Sequence, residues 1–166
     1  MVRRQIVFVR ALVHYVALWS IEIQWHVDRV SSAREGMATL FQRTAGSVRA
    51  ARWLMPEIIQ YQFRAAAPEE GLVAPPPPTL ADKQLHFAPL AGAESLEPRG
   101  VHLIIRDLLG RAASGGELRG NADRQLAEQL LVSLFFGASA SSPDPDVVAN
   151  TMVQGLDTLW KRFATP

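Results

Sequence analysis

Residues 101–163 read VHLIIRDLLGRAASGGELRGNADRQLAEQLLVSLFFGASASSPDPDVVANTMVQGLDTLWKRF, and this stretch decides the fold. Val101, Ile104, Ile105, Leu108 and Ala112 recur at steps of three and four, with Arg106, Asp107 and Arg111 between them, which places apolar and charged residues on opposite sides of one helix. Gly115 and Gly116 stop that helix, because glycine accepts the left-handed conformation at a C-terminus. Asn121 is the expected cap of the next helix, with Asp123 favouring its positive end. Leu126, Leu130, Leu131, Leu134, Phe135 and Ala138 give it a wide apolar face. Ser141 to Asp146 is a turn in which Asp144 caps a third helix and Pro145 takes its first position, where a missing N–H costs nothing. Val148, Met152, Gly155, Leu156, Leu159, Trp160 and Phe163 form the inner stripe of that helix, and Lys161 and Arg162 suit the negative end of its dipole. No segment alternates with period two between turn signals, so the sequence predicts an all-α bundle of about six helices and no sheet.

Working back toward the N-terminus, Ile6, Val9, Val13, Val16, Ser20, Ile23, Val27 and Val30 lie on one helical stripe. Phe8, Leu12, Tyr15, Leu18, Trp19 and Ile21 widen the apolar surface well beyond that stripe. A membrane anchor over residues 2–27 is the alternative reading. Arg10 interrupts it, and the charge-free run Ala11 to Ile21 is short of the ~20 residues a spanning helix requires, so a buried bundle helix is the expectation. Ser31 and Ser32 offer N-cap hydroxyls, and Ser32 with Glu35 has capping-box spacing. Met37, Leu40, Phe41, Thr44 and Val48 follow, with Arg43, Arg49 and Arg52 outward as a solvated face rather than an anion or DNA patch. Pro56 breaks this helix and opens another carrying Ile58, Ile59, Gln62 and Phe63. From residue 68 to 97 no element is predicted, and the Pro75–Pro78 run favours polyproline II. The expectation is one domain over 1–166, with 68–97 as a mobile Pro-rich insertion or loop. The alternative is that Leu85, Phe87 and Leu90 dock it as a lid.

Composition removes several classes of function. The 166 residues are 48% hydrophobic and 20% charged with a net charge of +1, so no global field draws the chain to nucleic acid or anionic lipid. There is no cysteine, which excludes disulfides, thiolate metal sites and a cysteine nucleophile. His14 and His26 are too far apart on one helix to share a metal, and no H-x-x-x-H or H-E-x-x-H spacing occurs. Gly115-Gly116 lacks a phosphate-loop lysine, and no serine stands in G-x-S-x-G. No catalytic residue, cofactor or metal is expected, and the chain is not read as an enzyme.

Three patterns then point to a family. They are Gly115-Gly116-Glu117-Leu118-Arg119, then Gln125-Leu126-Ala127-Glu128-Gln129-Leu130-Leu131, then Leu134-Phe135-Phe136-Gly137-Ala138, with Asp144-Pro145-Asp146 and Val153-Gln154-Gly155-Leu156 beyond them. The stretch resembles the C-terminal region of TetR-type bacterial transcription regulators. Arg34-Glu35-Gly36-Met37 and Met55-Pro56-Glu57 match the middle helices more loosely. The resemblance implies that the last two helices form a homodimer interface. On this chain that interface is expected at Leu130, Leu134, Met152, Leu156, Leu159 and Phe163, with Gly137 and Gly155 allowing close approach, and such interfaces bury about 2,000 Å² or more. It also implies a small, largely apolar effector in a cavity, with Trp19, Phe41, Trp53, Phe63 and His102 the expected ligand-binding residues. For His102 a satisfied or exposed histidine is the plainer reading. The family's helix-turn-helix reader has no counterpart, since residues 1–11 are too few and Ile6–Val30 is too apolar to enter a groove. The expectation is therefore a cytoplasmic, truncated regulator: a dimerising, effector-binding domain with no direct DNA binding of its own. A membrane-associated helical protein and a ligand-free helical interaction module are the alternatives.

Overall fold

Four helix starts in this chain are capped by side chains that satisfy backbone groups with no partner inside the helix. A computed structural model describes residues 2–50, 76–142 and 144–165. Among them are α1 (Val2–Val27), α2 (Ala33–Ala50), α3 (Leu80–His86), α4 (Val101–Ser114), α5 (Arg124–Ser141) and α6 (Pro145–Phe163), with one 3-10 turn at Ala93–Ser95. The protein is all-α. The described residues contain no strand, only an isolated bridge between Leu118 and Ala164. Asp144 caps α6 by accepting from the Asp146 N–H at 2.9 Å, with Pro145 at the start of the helix, as the sequence predicts. Asp123, rather than Asn121, caps α5, accepting from the Leu126 N–H at 3.0 Å. The helix expected from Pro56, with Ile58, Ile59, Gln62 and Phe63, lies outside the described residues.

The main core joins α1, α2, α4, α5 and α6. Met37, Leu40, Phe41, Ile105, Leu131 and Met152 are sealed within it. The most extensive packing between described elements is α2 on α6. Arg34 of α2 strengthens it by pairing with Asp157 of α6, its guanidinium 5.8 Å from the Trp160 ring centroid. Two glycines sit at equally tight helix crossings that differ in how far the neighbour can give. A Cβ on Gly36 would lie 2.6 Å from Cδ2 of fully buried Leu108, and one on Gly155 2.5 Å from Cδ1 of Leu134, whose side chain is only half-buried. Gly36→Val is expected to lower the unfolding free energy by about 1–3 kcal/mol through overpacking. Gly155→Ala should cost less, because half-buried Leu134 has solvent to shift toward and alanine regains ~1 kcal/mol of helix propensity against that displacement. Urea denaturation of the two variants checks the contrast.

The segment following the proline run is folded, contrary to the element-free expectation over 68–97. Thr79 and Asp82 form a reciprocal capping box at the start of α3, and Gly92 turns the chain at φ +86° into the 3-10 turn. Phe87 and Ala93 bury with Leu18 and Ile21 of α1 in a second cluster, closed by Trp25, Leu90 and Leu96. Of the three residues expected to dock a lid, Phe87 is buried and Leu90 partly so, while Leu85 is 85% exposed. The second cluster accounts for the breadth of the apolar surface on α1. Ile23, Val27 and Trp19 face the main core, and Leu18, Ile21 and Trp25 face this segment. No helix of the described residues is long and apolar enough to cross a membrane.

Candidate functional site

The Gly115–Arg119 turn and Arg111 just before it tie four helices together. Gly116 takes a left-handed φ of +73°, which reverses the chain after α4. The Glu117 carboxylate then accepts from the first two backbone N–H groups of α2, Ala33 at 2.7 Å and Arg34 at 2.8 Å. The Ser32 hydroxyl takes the third, from Glu35 at 3.0 Å, so the exposed donors of that helix start are answered one by one. Leu118 inserts into the core. Arg119 donates through Nε to the Ala164 carbonyl at 2.8 Å, closing the end of α6. One turn upstream, Arg111 donates to the carbonyls of Val27 and Val30 at 3.3 and 3.1 Å, fixing the end of α1. Each conspicuous residue of this motif therefore holds a helix terminus or the core.

Toward the middle of the bundle lies an aromatic cluster. Phe135 of α5 is its hub: its ring meets Phe41 of α2 edge-on at 5.7 Å, Trp19 of α1 at 6.3 Å and Phe136 at 5.2 Å. Phe41 and Phe135 are buried, whereas Trp19 and Phe136 are half-buried and form the rim. The adjoining hydroxyls are internally satisfied, Thr44 donating to the Leu40 carbonyl and Ser139 to that of Phe135. The surroundings offer apolar contact and ring stacking rather than proton transfer. Trp19 and Phe41, two of the five residues expected to bind ligand, are thus brought together, with Phe135 between them. His102 is not with them. It is exposed in the first turn of α4, its imidazole against Gly100. Trp53 and Phe63 lie outside the described residues. The pivotal place of Phe135 among the many aromatics follows from the crossing of α1, α2 and α5, which no spacing along the chain reveals.

The six residues expected at a dimer interface divide into two groups. Met152, Leu156 and Phe163 are buried inside the single chain. They leave no surface for another copy, because α2 covers that side of α6. Leu130, Leu134 and Leu159 are half-buried at the edge of the core, with Leu134 over Gly155. Two of the three outward arginines are paired, Arg43 with Glu22 at 3.2 Å and Arg49 with Asp146 at 2.7 Å, while Arg52 lies outside the described residues.

A cleft of about 100 Å³ opens between α1 and α4, where Gln24, Asp28, Arg111 and the Arg99–Asp107 pair surround Val27, Ile104 and Leu108. The Gln24 side-chain oxygen is buried there without a protein partner, and the cleft has room for the few waters that would satisfy it. Burial, reinforced by Arg43, holds the His26 imidazole below its ordinary pKa; burial and then Glu22 raise that of the Tyr15 phenol. His26 stacks edge-on against Trp25. Among the described residues no group of three His, Asp or Glu side chains could hold a metal ion. Compared with family models, curated proteins and solved structures, the chain matches none.

Proposed function

We propose that this chain is the homodimerisation and effector-binding domain of a TetR-type transcription regulator, with an apolar effector taken up beside the aromatic cluster. The observation that carries this reading is the outward surface of α5 and α6. From Gln129 to Ser142 the sequence has no charged residue, yet Gln129, Ser133, Gly137 and Ala140 are exposed, as is Leu126 one turn earlier. On α6 the exposed residues between Asp146 and Lys161, namely Val147, Asn150, Thr151, Gln154 and Thr158, are likewise uncharged. Depletion of charge marks the centre of an association surface, while a helix facing only water is normally studded with it. These exposed sides flank the Leu134–Gly155 contact, so a second copy could lay its own pair of helices across both.

The interface is therefore argued from the outer residues, with Leu130, Leu134 and Leu159 at its edge, and not from Met152, Leu156 and Phe163. Gly137 supplies a clean test, since a Cβ there meets nothing within 4 Å. By light scattering the chain is expected at twice 18.3 kDa, and Gly137→Arg at 18.3 kDa with unchanged helical circular dichroism. A monomeric wild-type chain overturns the association reading. For the effector, Trp19 on the rim and Phe41 within are the contacts, and a ligand binding only the folded state raises the melting temperature. Such a rise with apolar compounds, absent in Trp19→Ala, supports the reading. The sealed packing of Phe41 against Phe135 favours a second reading, a ligand-free interaction module, for which no compound shifts the melting temperature. In either case, transmission to another site requires the ligand to prefer one arrangement of the helices over another.

A further inference from the structure

Residues 79–97 carry a core of their own. The cluster around Phe87 and Ala93 is separate from the main one, and on the bundle side its buried members belong to α1 alone. The polar ties of the segment to the bundle end on the same helix and the turn that follows it. The Trp25 indole N–H and the Arg29 guanidinium both donate to the Ala91 carbonyl, at 3.0 and 3.2 Å. Arg29 lies 3.7 Å from the Trp25 ring centroid, so the two side chains make one clamp.

Inside the segment, Lys83 is 5% exposed although it carries a charge. Its ammonium donates to the Leu96 carbonyl at 2.9 Å and to Glu97 at 2.8 Å, joining the two ends of the segment to each other. The backbone is satisfied internally as well. Phe87 N–H donates to Lys83, Leu90 to Phe87, Ala93 to Leu90 and Leu96 to Ala93. A piece that closes on itself and rests on one helix can open at a lower free energy than the whole protein.

We propose that residues 79–97 are a strap that lifts from α1 and docks again as one unit while the main helix core stays folded. Lifting breaks the Trp25–Arg29 clamp and the Phe87 contacts, and it uncovers Leu18, Ile21 and Trp25. The opposite side of α1 carries Trp19 against Phe135, so strap and aromatic cluster share one helix as their common wall. The proposal does not depend on the regulator reading.

Native-state hydrogen exchange on the full chain tests it. The amides of Phe87, Leu90, Ala93 and Leu96 are expected to exchange together, ahead of those of Leu108 and Leu131 in the core. Phe87→Ala should cut their protection roughly tenfold or more and leave Leu108 and Leu131 within about twofold of the wild type. Trp25→Phe keeps a ring in place but removes the indole donor, and it should move the strap amides in the same direction by less. Exchange of the strap amides only together with the core amides of the wild type overturns the proposal. So does an equal loss of strap and core protection in the variants.

Discussion

Replacing Phe135 by alanine is expected to lower the unfolding free energy by about 3–5 kcal/mol. The ring is buried and touches three other aromatic rings on three sides. Truncation removes its transfer free energy and also the edge-to-face contacts with Phe41 and Phe136, which the remaining side chains cannot recover without moving α1 or α2. The hole would be lined by apolar groups, since the hydroxyls of Thr44 and Ser139 are already bonded within their own helices. Apolar cavities of that kind stay dry and admit benzene-sized molecules. Benzene should therefore raise the melting temperature of Phe135→Ala by more than it raises that of the wild type. A loss under about 1 kcal/mol in urea denaturation would mean that the site collapses freely, and that the cluster is not a packed junction of three helices.

The part of the fold that could be read in advance is the part with local causes. The stripes of α4 and α6 repeat at helical spacing over several turns, and Asp144-Pro145 marks a helix start by chemistry confined to two residues. α3 escaped because it is seven residues long and its one buried side chain is a lysine, so it has no apolar stripe to detect. Its only local signal is Thr79 and Asp82 at capping-box spacing, just after a proline run that argues for an open loop. For the interface expected on α6 the limit is of a different kind. Apolar spacing shows that Met152, Leu156 and Phe163 are covered, but not by what, and the cover is α2 of the same chain. The breadth of the apolar surface on α1 was legible. Its cause, a strap more than fifty residues downstream, was not, because contacts across that separation leave no trace in periodicity.

Glu117 is the clearest case of a residue whose role lies wholly in distant partners, and Glu117→Ala is expected to cost about 2–3 kcal/mol. Its two carboxylate oxygens accept from Ala33 and Arg34, more than eighty positions earlier in the chain. Deletion leaves two donors of a part-buried helix start without acceptors and removes a negative charge from the positive end of the α2 dipole. Glu117→Gln retains one carbonyl oxygen but presents an amide N–H to the second donor, so it should lose roughly half as much. A surface glutamate with no such duty would change stability by no more than ~0.5 kcal/mol. The decisive measurement is a double-mutant cycle with Ser32→Ala, because Ser32 serves the next amide of the same helix start, Glu35. If the two side chains cap α2 as a unit, their urea-derived losses will couple by more than ~0.5 kcal/mol. Simple additivity would mean that each amide is satisfied on its own. A negligible loss in Glu117→Ala alone would remove Glu117 from the junction that joins α2 to the turn after α4.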